Sequence, residues 1–144
     1  MVSLYSKMTV SPKMAQAESE VVKSFDWRNR HGINWMTPVK DQGQSCYCCA
    51  FAAVSCVEAL GNLYYNKKLD LDLSEQEAAC CNEYVQSRDP YTGGMSIDAP
   101  LDYFRDHGVC DEEAYPFVDA DSAHNCRSDE VTPNYTVRIK GYHQ

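Results

Sequence analysis

Gln42-Gly43-Gln44-Ser45-Cys46-Tyr47-Cys48-Cys49-Ala50-Phe51-Ala52-Ala53-Val54 changes character halfway along. Its first residues are polar and poor at continuing a helix, so the chain can turn there. From Cys48 the sequence turns apolar. Ala50, Val54, Val57, Gly61 and Tyr64 follow the i, i+4, i+7, i+11, i+14 rhythm of a helix. Only Ser55 and Glu58 are polar between Cys48 and Leu60, which predicts a helix from about Cys48 to Tyr65 buried on most sides. Asn66-Lys67-Lys68 ends it. A thiol thus stands at the first turn of a core helix, where unpaired N–H groups and the helix dipole favour an anion. A thiolate is the nucleophilic form of cysteine. Gln42, six residues upstream, carries an amide able to donate to an oxyanion beside that sulfur.

Working outward, Leu69, Leu71 and Leu73 alternate with Asp70 and Asp72 as an extended connector. Ser74-Glu75-Gln76-Glu77 reads as a capping box, with Ser74 capping and Glu77 reaching back to the cap's N–H, and opens a short helix to about Cys81. Residues 82–95 contain Pro90, Gly93 and Gly94 and read as loop. A third helix fits Ile97 to His107: Ile97, Leu101 and Phe104 share a face, Pro100 is tolerable in the first turn, and Gly108 stops it. Residues 109–134 read as loop. Tyr135, Val137 and Ile139 alternate with Thr136, Arg138 and Lys140 as a half-buried strand. Asn134-Tyr135-Thr136 is a glycosylation sequon, meaningful if the chain is secreted. Toward the N-terminus, Phe25-Asp26-Trp27-Arg28 begins the ordered part, and Gly32 to Thr37 reads as a loose surface turn containing Trp35.

Several of these segments, in this order, resemble the mature papain-like cysteine proteases. They are Asp26-Trp27-Arg28, Thr37-Pro38-Val39-Lys40-Asp41-Gln42-Gly43, Cys48, Ala50-Phe51, Leu73-Ser74-Glu75-Gln76-Glu77, Gly93-Gly94 and Tyr115-Pro116-Phe117. The resemblance runs from about Phe25 to the C-terminus. It implies a mainly α chain, the left domain of the family's α+β fold, with three helices, long loops and a C-terminal strand. Residues 1–24 would be a flexible arm or pro-segment remnant, residues 25–134 the left domain, and residues 135–144 the first strand toward a right domain.

The resemblance also implies roles. Cys48 would be the nucleophile, Gln42 the oxyanion donor, and Gly93 and Gly94 the cleft wall against a peptide substrate. A plain structural reading stands beside each: a buried thiol, a loop glutamine bonding local backbone, a turn needing positive φ. Cys81 and Cys126 stand where the family has a disulfide. A second family bridge would join positions 45 and 91, which here are Ser45 and Tyr91. Cys49 replaces the family's Trp behind the nucleophile, which leaves the helix start less well supported. Taking Cys49 as nucleophile instead needs an inserted residue near Ser45. No segment matches the family's catalytic His and Asn, and His31, His107, His124 and His143 read as solvated.

The implied activity is peptide-bond hydrolysis through an acyl-thioester, by a half that is inactive alone. The alternative is a non-catalytic, protease-derived module that binds a protease or its inhibitor. A metal site from Cys46, Cys48 and Cys49 with Cys80 and Cys81 lacks the spacing of a zinc ribbon, so no metal or cofactor is expected. The chain of 144 residues carries a net charge of −8 and eight cysteines. An acidic surface argues against nucleic acid and anionic membranes as partners, and no apolar run is read as reaching ~18 residues, so nothing is expected to span a bilayer. The cysteine count points to an oxidising compartment, and the family to a secretory, vacuolar or lysosomal one. Residues 1–23 show no apolar core of a signal peptide.

Overall fold

The computed structural model describes residues 24–84, 94–119 and 126–143. Three helices carry the fold: α1 (Cys48–Tyr65), α2 (Glu75–Cys80) and α3 (Asp98–Asp106). Two short strands, β1 (Val109–Cys110) and β2 (Thr136–Val137), pair antiparallel with Val109 opposite Val137 and Cys110 opposite Thr136.

Helix α1 spans the expected residues. It ends at Asn66, whose left-handed backbone lets its N–H reach the carbonyls of Asn62 and Leu63. Its burial differs from expectation. Ala50, Ala53, Val54, Val57, Glu58, Ala59 and Asn62 are buried, whereas Cys56 and Leu60 are exposed and Tyr64 is 83% exposed. The core therefore takes one face of α1, and the apolar residues opposite are left open. By length and mean hydropathy (1.3), α1 is also apolar enough to cross a membrane, contrary to the reading that no such run exists. Its two buried polar residues have jobs in the core: Glu58 Oε1 accepts the Leu73 N–H at 2.8 Å, and Asn62 Nδ2 donates to the Trp35 carbonyl at 3.0 Å. Trp35 is consequently 7% exposed, anchored rather than on a loose turn.

Helix α2 is buried at every residue, packed on α1, α3 and β1. Ser74 Oγ accepts the Glu77 N–H at 2.9 Å, as the cap predicts. The reciprocal half of the capping box does not form. The Ser74 N–H donates to the Cys110 carbonyl instead, and Glu77 turns outward to the sheet and α3. The neighbouring strand offers Ser74 a backbone acceptor, so the carboxylate is released for other donors.

Helix α3 starts one residue inside the expected span; of the expected face, Phe104 is buried and Leu101 packs half-buried against the core, whereas Ile97 is 43% exposed, and Ala99, Pro100 and Tyr103 are buried as well. Gly108 follows with φ +93, a conformation open to glycine. A Cβ there would lie 2.7 Å from Thr136 Cγ2 and 3.1 Å from the Val137 carbonyl oxygen. This close approach lets the chain leave α3 directly into β1. Val109 and Cys110, read as loop from sequence, are thereby a strand. The expected strand at Tyr135–Ile139 is shorter, only β2, with Val137 and Ile139 half-buried against the core. Cys81, the C-terminal cap of α2, is bridged to Cys126, 45 residues on.

Candidate active site

The segment before α1 is a tight polar loop. Asp41 Oδ1 accepts the Gly43 N–H at 2.9 Å, and Gly43 has φ +58. The Asp119 carboxylate lies over it, occupying the place a Cβ on Gly43 would take, and the Gln44 N–H donates to Asp119 Oδ1 at 3.2 Å. Ser45, which is buried, donates its hydroxyl to the Gln42 carbonyl at 2.8 Å. Gln42 Nε2 donates to the Ser45 carbonyl at 2.5 Å. The Gln42 side chain is thus folded onto its own loop, the plain reading of a loop glutamine. Swinging to an oxyanion beside Cys48 would require breaking that bond.

Tyr47, wholly buried, forms the N-terminal cap without a side-chain hydrogen bond to α1. Among the described residues no acceptor takes the Cys48 or Cys49 N–H. Those donors stay available at the positive end of the helix. Cys48 is exposed there and Cys49 half-buried. Burial pushes the Cys49 thiol above its ordinary range, and the neighbouring Cys48, which shares a hydrogen bond with it, pushes in the same direction. One turn on, Phe51 meets Phe117 edge-on with ring centroids 4.9 Å apart, bracing the helix start.

The remaining expected residues separate. Gly94 is exposed, with nothing within 4 Å of where a Cβ would stand. Gly93 and His124 lie outside the described residues. His107 faces Glu83 at 3.0 Å and stacks on Tyr103, and among the described residues no histidine hydrogen-bonds to Cys48. Cys81 is committed to its bridge with Cys126, which removes it from the cysteine cluster weighed as a metal site.

One feature escaped sequence reading. Lys40 Nζ stands 2.6 Å from Asp72 Oδ1, 2.8 Å from Glu75 Oε1 and 3.6 Å from Glu58 Oε1. Burial works against its charge, yet those carboxylates outweigh it and hold the ammonium above its ordinary range. Burial likewise raises Glu75. Glu112, beside the same cluster, is pushed up to about 7 by burial, with Glu75 and Asp72 adding to the shift. A cavity of ≈ 430 Å³ borders it, lined in part by Lys40, Asp72 and Glu112. A second, of ≈ 470 Å³, lies between Pro38 and Phe51; Cys48 and Gln42 lie outside both. The signal available from sequence was Glu58, a lone carboxylate in an apolar helix.

Comparison with known proteins places the chain among cysteine proteases. The family described as papain family cysteine protease matches residues 21–144. Procathepsin L of Felis catus is 36% identical over 99 residues, 68% of this chain and 28% of the relative. The senescence-specific cysteine protease SAG39 of Oryza sativa subsp. indica is 35% identical over 119 residues, 83% of this chain and 32% of the relative. The chain therefore spans about a third of these relatives' length. Among solved structures, the Carica candamarcensis cysteine protease CMS1MS2 in complex with E-64 superposes with a TM-score of 0.65 at 26% identity, covering 81% of this chain and 49% of that one. The proform of the ragweed pollen allergen Amb a 11, also a cysteine protease, gives 0.61 at 28% identity over 75% of this chain and 31% of that one.

Proposed function

This chain belongs to the papain family of cysteine proteases, and from that membership we propose that it is the nucleophile-bearing left half of a papain-like cysteine endopeptidase. Residues 25–134 form the left domain in this reading and residues 135–144 lead toward a right domain. Cys48 is the nucleophile. The observation that carries the assignment is the contrast at the start of α1: Cys48 is exposed beside unclaimed N–H donors, while the adjacent Cys49 is half-buried with its thiol raised.

In the proposed reaction the Cys48 thiolate attacks a peptide carbonyl carbon. The developing oxyanion takes the Cys48 N–H, and the Gln42 amide after it leaves the Ser45 carbonyl. Collapse forms the acyl-thioester and expels the amine, which must receive a proton; water then releases the acid. The base that takes and returns that proton comes from polypeptide supplying a histidine, since Cys48 has none beside it among the described residues. General-base assistance is typically worth ~10²–10⁴-fold, so the chain alone does not turn over. Gly93 and Gly94 would line the substrate's path, with a peptide or protein as substrate.

Co-expression with the C-terminal half of procathepsin L, assayed on a fluorogenic peptide under reducing conditions, tests this. Hydrolysis abolished by Cys48→Ala is expected. Stable association of the two halves without Cys48-dependent turnover contradicts it.

A further inference from the structure

Asn134-Tyr135-Thr136 is the chain's one Asn-x-Ser/Thr sequence, and the protease reading makes no use of it. Pro133 precedes it and Val137 follows, so no proline occupies the positions that block such a sequon. The structure presents it at the surface. Asn134, Tyr135 and Thr136 are all exposed, immediately before and within the first residue of β2.

The local hydrogen bonds leave room for a substituent on Asn134. Its backbone is held by the buried Asp111, whose Oδ2 accepts the Asn134 N–H at 2.8 Å and the Tyr135 N–H at 3.2 Å. The side-chain Nδ2 donates to Asp111 Oδ1 at 3.1 Å and, more weakly, to Glu113 Oε2 at 3.4 Å. Nδ2 has two hydrogens, and a sugar replaces one. The loop then keeps both backbone anchors and one side-chain donor, so a substituted Asn134 fits the folded chain.

A second, independent observation is the disulfide. The Cys81–Cys126 bridge fits maturation in an oxidising lumen, where such bridges form and persist. In eukaryotic cells oligosaccharide is transferred to asparagine in that same lumen.

We propose that Asn134 carries an N-linked oligosaccharide. The donor is an oligosaccharide joined to a lipid diphosphate. Nδ2 attacks the anomeric carbon, the bond from that carbon to the diphosphate oxygen breaks, the lipid diphosphate leaves with its electron pair, and one Nδ2 proton goes to a base on the transferase. The glycan projects from the entry to β2.

The full chain, placed behind a cleavable secretory leader in eukaryotic cells, is recovered from both microsomes and medium. Treatment with peptide-N-glycosidase in ¹⁸O water is followed by peptide mapping. The expected result is conversion of Asn134 to isotopically labelled Asp, with the mobility shift lost in Asn134→Gln and Thr136→Ala and retained in Thr136→Ser. Because transfer precedes folding, these readouts do not depend on variant stability. Translocated chain with unmodified Asn134, or a shift that survives Asn134→Gln, overturns the proposal. The outcome is independent of whether Cys48 proves catalytic.

Discussion

Glu77 Oε2 accepts the backbone N–H of Cys110 at 2.6 Å, tying α2 to the first strand across 33 residues of sequence. The other oxygen accepts the Tyr103 hydroxyl at 3.2 Å from α3. One buried carboxylate thus pins three elements. Glu77→Ala strands both donors, and unsatisfied buried groups cost about 1–3 kcal/mol each. A loss of roughly 2–4 kcal/mol in chemical denaturation is expected, with Glu77→Gln costing less because one acceptor survives. Equal effects for the two variants would mean that the carboxylate's acceptors do not matter.

Ser74 should rank close behind. Its hydroxyl caps α2 through the Glu77 N–H and donates to the Tyr115 carbonyl at 2.6 Å. Ser74→Ala removes both, for about 1–3 kcal/mol. Ser74→Thr, which keeps the hydroxyl, should recover part of it. Urea midpoints for the pair, compared at constant m-value, measure the difference.

The Cys81–Cys126 bridge closes a loop across 45 residues, worth about 4 kcal/mol in the chain-entropy model. Reduction, or the double Ala variant, should lower stability by an amount of that order. Mapping without reduction should recover the two cysteines in one linked peptide. Both thiols alkylating under native, non-reducing conditions would contradict the bridge.

Glu112 sets a pH dependence. Burial lifts it from an ordinary 4.5 to about 7, so the folded chain holds this proton over a range where the unfolded chain has released it. Its contribution to stability is full below about pH 4.5 and is lost as pH rises through about 7. The loss should be roughly 1–3 kcal/mol. Glu112→Gln, which can still accept the Phe117 N–H now held by Oε1 at 2.6 Å, should flatten the change in Tm between pH 5 and pH 8. An unchanged slope would show that another group titrates there.

The helices were legible because each carries its own local signal. The apolar rhythm and Asn66 mark α1, Ser74 starts α2, and Gly108 ends α3. What sequence could not supply came from pairings between distant residues. The Val109–Cys110 strand exists because Gly108 permits contact with Thr136 and Val137. Glu77 was misread because its donors, Cys110 and Tyr103, lie far along the chain. The face of α1 that stays open could not be told from the buried face, since both are apolar. At the site, local order was readable and orientation was not: Cys48 stands at the helix start, but the turn of Gln42 onto Ser45 depends on how a loop of short hydrogen bonds closes.

The choice between neighbouring thiols is the point on which the account rests. Cys48 and Cys49 project ~100° apart around the helix, and the exposed one at the helix start should react first. Limiting iodoacetamide near neutral pH, quenched and mapped by mass spectrometry, measures their relative rates directly. The account predicts modification of Cys48 well before Cys49. Preferential labelling of Cys49 in the folded chain, with Cys48 protected, would contradict it and shift the alignment of every role assigned around the start of α1.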